Sequence, residues 1–190
     1  YLRHTDHFIR SAARVALEHQ DPKSWQERAL KATDAQTSLT ALLGLVRVGD
    51  KSLQPRILES LGRIQWTALS DSQYLELLRV YGLAFIRMGT PNSEVAARLA
   101  SRFDAFYPSH SKDINAELSK IMIHLEAPTA AAKTVALLGK ATTQEEQMDL
   151  AYSLRVLKTG WTPALHSEYF QWFLKAASYH GGHSFAGFVR

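Results

Sequence analysis

The feature that most constrains this sequence is a helical spacing of apolar residues that continues along most of the chain. Ile114, Leu118, Ile121 and Leu125 recur at intervals of four, three and four residues, which places them on one stripe of an α-helix. No comparable run alternates apolar and polar residues with a period of two, the pattern typical of strands. The spacing therefore predicts an all-α protein.

The prolines divide this pattern into separate helices. Each of the six falls between helical stretches or in a first turn, where proline is tolerated. Thr162-Pro163 is typical of an N-cap followed by the first helical residue, and Ser70 and Thr143 each precede a Gln or Glu by three residues, the spacing of a capping box. We predict ten helices, over 5–19, 23–32, 34–48, 53–66, 71–88, 93–106, 112–125, 129–140, 143–158 and 163–179.

The helices group into five pairs whose first members end in similar ways. Aligning Leu17, Val48, Met88, Leu125 and Leu157 gives intervals of 31, 40, 37 and 32 residues. Two-helix repeats of about this length are typical of HEAT and armadillo proteins. We predict a right-handed α-solenoid of about five HEAT/armadillo-like helix pairs over 1–180, with 181–190 as an exit segment towards a following module; the alternative is an irregular helical bundle.

Composition excludes several classes of protein without indicating a function. A chain of 190 residues corresponds to one domain, or two at most, and needs no disulfide or metal to fold. The absence of cysteine excludes thiol nucleophiles, zinc ribbons, iron–sulfur clusters and covalent haem attachment within this sequence. No apolar stretch reaches the roughly 20 residues of a membrane-spanning helix. The net charge, 22 − 18 = +4, is spread evenly over both halves, which argues against a nucleic-acid-binding face.

The first helix carries alternating charges on one face. Asp6, Arg10, Arg14 and Glu18 lie four residues apart, so that opposite charges are neighbours along the helix. We favour a ladder of internal ion pairs as the interpretation. Arg10 and Arg14 are nevertheless the best candidates in the sequence for binding an anion or a partner.

The C-terminal end combines histidines, glycines and aromatic residues. His180 and His183, with His166, have the residue type of a metal site, but three or four converging ligands are usually needed and no acidic partner lies nearby. We favour a helix that ends at His180 and is capped by Gly181 or Gly182. Phe185 and Phe188 follow the glycines, where they would dock back or contact a following module. Tyr169, Trp172 and Phe173 have the spacing of ordinary core packing.

Three stretches together resemble a known family. Residues 6–18 (DHFIRSAARVALE), followed by Trp25-x-x-Arg28-Ala29-Leu30, resemble the opening of a HEAT-like helical region of very large bacterial multidomain proteins. The stretch from Asn115-x-x-Leu118 to Leu125-x-x-Pro128 resembles its middle, and the stretch from Gly160-Trp161-Thr162-Pro163 to Gly181-Gly182-His183-Ser184-Phe185 resembles its close. In that family the region lies between a propeller similar to sugar dehydrogenases and a C-terminal cytochrome c module.

The resemblance implies a redox context outside this sequence. It implies an exported parent, in the periplasm or cell envelope, with the character of a cytochrome c-linked dehydrogenase and with haem in a neighbouring module. It implies no catalytic residues and no cofactor for the chain itself, and the segment around His183 would lead towards the haem module.

We therefore expect a non-catalytic scaffold that contacts neighbouring domains of its parent or another protein. The residues expected to make such contacts are Arg10, Arg14, His183, Phe185 and Phe188. The alternatives are a nucleic-acid-binding domain similar to HEAT-like DNA glycosylases, which share the helix-pair architecture and a basic pI, and a metal- or haem-contacting domain that uses the C-terminal histidines.

Overall fold

The computed structural model describes residues 1–181, and these residues are all-helical. Ten α-helices and two short 3-10 helices are present, and no strand occurs in this part of the chain. The prediction of an all-α protein with ten helices is thus confirmed. The α-helices are α1 His7–Glu18, α2 Pro22–Leu30, α3 Ala35–Val48, α4 Gln54–Arg63, α5 Asp71–Met88, α6 Ser93–Asp104, α7 Lys112–His124, α8 Ala130–Lys140, α9 Gln144–Leu154 and α10 Pro163–Ala176; the 3-10 helices are Lys51–Leu53 and Trp66–Ala68.

Side-chain caps fix where most of the helices begin. The side chains of Asp6, Asp21 and Asp34 accept backbone N–H groups at the starts of α1, α2 and α3. Ser70 and Gln73 form the predicted capping box of α5. Such caps satisfy backbone donors that have no partner within the helix, so short polar residues before an apolar stripe mark helix starts reliably.

Several helices end earlier than the apolar spacing predicts. The helix predicted over 53–66 ends at Arg63, so Trp66 lies in a 3-10 helix, although its side chain is buried. The helix predicted to reach 158 ends at Leu154. The last helix, predicted over 163–179 with a cap at Gly181 or Gly182, ends at Ala176 with a right-handed cap at Ala177. Apolar residues beyond a helix end can still be buried, so periodicity overestimates helix length.

The chain divides into two compact units, 1–96 and 97 onward, with the boundary inside α6. In unit 1, α3 packs against α1, α2, α4 and α5, and α4 also packs against α2 and α5. Leu39, Leu42 and Leu45 of α3 lie fully buried with Leu77 and Tyr81 of α5. The central position of α3 explains why it is apolar around most of its circumference.

Unit 2 has its own core. In it α9 packs against α7 and α8, α7 packs against α8, and α8 packs against α10. Ile114, Leu118 and Ile121 of α7 are buried, as the apolar spacing predicts, together with Leu150 and Leu154 of α9. A hydrogen bond of 2.8 Å between the buried hydroxyls of Tyr107 and Thr134 ties the segment after α6 to α8.

None of the helices within 1–181 is both long enough and apolar enough to span a bilayer. This agrees with the expectation of no membrane-spanning segment for the described part of the chain.

Candidate functional site

Arg10 is engaged inside unit 1 and not on an open surface. Its guanidinium forms an ion pair with Glu76 at 3.0 Å and donates to the carbonyl oxygens of His4 at 2.8 Å and Thr5 at 3.0 Å. Only 16% of its side chain is exposed. Arg10 thus joins α1 to α5 and to the segment before α1.

Arg14 is also turned towards a neighbouring helix. It pairs with Glu18, whose carboxylate also meets Arg47 of α3 at 2.9 Å. The predicted ion-pair ladder is confirmed at Arg14–Glu18 but not at its other end, because the Asp6 carboxylate caps α1 and Arg10 pairs with Glu76 instead. That Arg10 and Arg14 contact a partner remains a prediction. Both side chains already form ion pairs within unit 1.

The three other predicted contact residues, His183, Phe185 and Phe188, lie outside the described residues. His166, which was considered as a third metal ligand, stacks against Trp161 with ring centroids 4.6 Å apart. Within 1–181 no group of three or more His, Asp or Glu side chains is arranged to hold a metal ion.

The aromatic end of unit 2 is partly core and partly surface. The Tyr169 hydroxyl donates to the carbonyl of Ala151 at 2.9 Å, and the buried Gln147 accepts from the Trp172 indole at 3.1 Å and from the Tyr179 hydroxyl. Tyr169 is buried as predicted, whereas 41% of Phe173 is exposed, so the prediction of core packing does not hold for that residue. These polar contacts hold the end of the unit together, so a structural role is enough to account for Tyr169 and Trp172.

A groove between α7 and the end of α9 combines exposed apolar side chains with cations. We call it the α7–α9 groove; it has a volume of about 520 Å³ and lies within unit 2. It is lined by Lys120, Ile123, His124, Glu126, Tyr152, Ser153, Arg155, Val156 and Lys158.

The groove exists because α9 ends before its apolar pattern does. Leu154 is the last helical residue, and Arg155 continues the right-handed turn as the C-cap. Leu157 is then buried, while 61% of Val156 and 62% of Tyr152 remain exposed. Gly160 follows at φ +75°, a conformation that favours glycine, and passes close to the carbonyl of Pro128.

The cations of the groove differ in how strongly they are held. Lys120 pairs with Glu117 at 3.0 Å and Asp149 at 3.6 Å; burial lowers the pKa of Lys120, but these ion pairs outweigh burial and raise it above its ordinary value. Arg155 lies over the ring of Tyr152 at 3.7 Å from its centroid, a cation–π contact. Lys158 is exposed at the same edge.

The arrangement suits an apolar group with a negative charge beside it. The exposed side chains of Tyr152 and Val156 offer apolar area that the described residues leave uncovered, and burying such area favours association. Glu126 is the single acid among the lining residues, and the charge of Lys120 is already balanced by Glu117 and Asp149. Arg155 and Lys158 therefore leave the groove with an excess of positive charge.

Sequence reasoning missed this groove although part of the signal was present. Tyr152 and Val156 are four residues apart and lie off the stripe of Leu150, Leu154 and Leu157. Apolar residues off the buried stripe of an amphipathic helix are candidates for an exposed patch. The three cations could not be grouped into one site from the sequence, because Lys120 belongs to α7 whereas Arg155 and Lys158 follow α9.

Comparison with protein-family models, with curated proteins and with solved structures finds no match to this chain.

Proposed function

We propose that this chain is a non-catalytic, helical-repeat interaction module that binds a protein segment in the α7–α9 groove. The observation that carries the proposal is the pair of exposed side chains Tyr152 and Val156 beside two cations. A partner segment with one apolar side chain next to an Asp or Glu complements both features. It would bury the apolar surface and place its carboxylate near Arg155 and Lys158.

The packing within each unit supports a solenoid of helix pairs as the scaffold. Odd-numbered helices pack against odd-numbered neighbours, as α1 with α3 and α3 with α5 in unit 1 and α7 with α9 in unit 2. Even-numbered helices do the same, as α2 with α4 and α8 with α10. Packing within a pair, as between α3 and α4, and between neighbouring pairs is what stacked repeats produce, and such repeats commonly present an extended binding surface. We propose five HEAT-like pairs on this basis.

Selection from a library of displayed random peptides tests the groove directly. We expect enriched peptides to carry an aromatic or aliphatic residue adjacent to Asp or Glu. Their affinity should fall about tenfold or more in a Tyr152→Ser/Val156→Ser variant, because the apolar contact area is lost.

Ile86→Ser is the matched control for this experiment. It removes an apolar side chain that is 79% exposed but lies in unit 1, so binding should be unchanged. Equal binding by the wild type and the groove variant, or no enrichment of acidic apolar peptides, contradicts the proposal.

The salt dependence of binding affinity distinguishes the proposed protein partner from the alternative, a nucleic acid. A protein segment held mainly by apolar contact loses little affinity between low and physiological salt. DNA held by phosphate contacts loses affinity steeply, in proportion to the number of phosphates neutralised. DNA binding whose affinity falls steeply with salt concentration, and which is lost in Arg155→Gln/Lys158→Gln, would show that the groove binds a nucleic acid and not a protein segment.

We also propose that the chain belongs to an exported redox protein with a haem module, on the resemblance of its opening, middle and closing motifs to that family. In this proposal the chain itself holds no haem and serves as spacer or docking surface. The complete coding sequence tests it: an export signal upstream and a Cys-x-x-Cys-His motif downstream are expected. A coding sequence with neither contradicts the proposed context but leaves the peptide-binding proposal standing.

A further inference from the structure

A second cavity lies in unit 1, between α1, α2 and α3. Its volume is about 260 Å³. Trp25, Arg28, Ala29 and Ala32 line it with a spacing of three, one and three residues, so they share one face along α2 and its C-terminal turn. The remaining lining residues are Leu2, Leu17, Thr37 and Ala41. Because three of these positions are alanine, no side chain fills the space between the helices.

The indole of Trp25 contributes a polar group that the fold does not satisfy. Its Nε1–H is buried and has no hydrogen-bond acceptor among the described residues. Such a group normally has a partner, because burying an unpaired donor costs free energy. Because Trp25 lines this cavity, a ligand that carried an acceptor as far as the buried N–H would supply the missing partner.

Arg28 gives the cavity a positive charge at its exposed edge. Its side chain is exposed, and it lies three residues after Trp25 on the same helix face. The neighbouring acid, Glu27, is committed elsewhere, because it forms a two-point ion pair with Arg56 at 2.8 Å for each contact. Thr37 donates its hydroxyl to Asp34 at 2.6 Å and therefore adds no free donor. Arg28 and Trp25 are thus the donors left for a ligand.

We propose that this cavity binds a small carboxylic acid with a single aromatic ring. The ring occupies the alanine-lined space, and the carboxylate accepts from the guanidinium of Arg28 and the indole N–H of Trp25. The size fits, because an apolar cavity of about 150 Å³ holds benzene and the additional volume accommodates a carboxylate. Leu2, which also lines the cavity, lies in the turn before α1, so it can shift to admit a ligand without breaking a helix.

Titration of the full chain with benzoate tests the site, observed through the indole N–H signals of protein labelled with ¹⁵N. The four tryptophans give four signals, and the signal lost in Trp25→Phe identifies Trp25. We expect a saturable downfield shift of that signal, with a dissociation constant of about 1 mM or below. Arg28→Gln should weaken benzoate about tenfold and leave benzyl alcohol, which has no charge, unchanged.

Two further variants make the result decisive. Ala32→Leu fills the cavity and should abolish the shift, while the other three indole signals report that the fold is retained. Arg79→Gln removes an equal charge from another exposed position of unit 1 and should leave benzoate binding unchanged. A Trp25 signal that stays still up to about 20 mM benzoate overturns the proposal. Binding that persists in Ala32→Leu, or that falls equally in Arg79→Gln, overturns it as well.

This site and the α7–α9 groove lie in different units and use different residues. Failure of either experiment therefore leaves the other proposal intact.

Discussion

Two glycines with positive φ show how differently the same residue type can be required. Gly160 has φ +75°, and a Cβ added there would lie 2.8 Å from the carbonyl oxygen of Pro128. Gly89 has φ +102°, but an added Cβ would meet no atom within 4 Å. At Gly89 a side chain would cause backbone strain only. At Gly160 a side chain would also prevent the close approach to Pro128 that positions the segment after α9.

We predict that Gly160→Ala destabilises the protein more than Gly89→Ala. Gly89→Ala should lower the free energy of unfolding by about 1–3 kcal/mol, because Gly89, with φ +102° and ψ 170°, lies in a backbone region that is essentially restricted to glycine. Gly160→Ala should cost more, because its neighbour is backbone and not the end of a flexible side chain. Urea unfolding of both variants measures this, and equal losses would show that the approach to Pro128 is not close in solution.

Tyr107 is the buried residue whose ionisation should affect stability at high pH. Burial raises the pKa of Tyr107 to about 12, although its hydrogen bond with Thr134 lowers it in part. The ordinary value is 10.0, so the folded protein holds this proton more tightly than the unfolded chain does. The contribution is therefore complete below about pH 10 and is lost as the pH rises towards 12.

We predict that Tyr107→Phe reduces the dependence of stability on pH in that window. For the wild type, this group should lower the free energy of unfolding by about 1.4 kcal/mol per pH unit between pH 10 and 12. Tyr107→Phe should be less stable at pH 7 by about 1–2 kcal/mol, because the buried Thr134 hydroxyl loses its partner. The difference from the wild type should shrink above pH 10.

Thr134→Val is the control for the Tyr107 experiment. It also removes the hydrogen bond, but it keeps the tyrosine and should therefore keep the decline of stability above pH 10. If Tyr107→Phe and the wild type lose stability in parallel above pH 10, burial of the Tyr107 hydroxyl is not responsible.

At the scale of elements, α1 is held by charged side chains over a glycine. None of the α1 residues is fully buried, yet the helix packs against α3. A Cβ at Gly44 would lie 3.5 Å from Cγ of Arg14 and 3.6 Å from Cγ of Glu18. The aliphatic stems of these two residues thus pack over the glycine, while their charged ends pair with each other and with Arg47.

We predict that Gly44→Ala is tolerated and Gly44→Leu is not. A methyl group at this distance makes ordinary contact, and alanine favours the helix by about 0.5–1 kcal/mol over glycine. A leucine should push α1 away from α3 and cost about 1–3 kcal/mol by overpacking. Amide hydrogen exchange measures the effect, with loss of protection in α1 expected for Gly44→Leu only. Protection retained in both variants would mean that α1 does not depend on this contact.

Elements differ in how well sequence predicts their two ends. The starts of α5, α9 and α10 follow from Ser70, Thr143 and Thr162, because a capping side chain acts within three residues of itself. The ends of α4 and α9 do not follow, because Trp66 and Leu157 continue the apolar pattern after the helix has stopped and are buried all the same. Local hydrogen bonding determines the first kind of boundary and tertiary packing the second.

At the scale of the whole molecule, each compact unit has its own buried core. Leu42 of α3 and Leu118 of α7 are both fully buried, one in each unit. Within each unit, packing runs between neighbouring helices and helix pairs. If the chain is a stack of repeats, the stability of each part depends mainly on its own interfaces.

We predict that Leu42→Ala and Leu118→Ala destabilise different parts of the chain. Each should cost about 2–5 kcal/mol in the unit that loses the side chain. Native-state hydrogen exchange should show the larger loss of protection in α3 and α5 for Leu42→Ala, and in α7 and α9 for Leu118→Ala. Equal losses in both units for either variant would indicate one cooperative core and contradict the repeat proposal.

The sequence by itself determined the class of the fold, the number of helices, most of their starting points and the Arg14–Glu18 pair. All of these depend on interactions within a few residues along the chain, which spacing and residue type reveal. Only the tertiary structure decided that Arg10 pairs with Glu76 of α5, that Val156 lies exposed beside Lys120 of another helix, and that Trp25 borders a cavity between three helices. These features depend on which helices become neighbours, and periodicity along one helix carries no information about what packs against it.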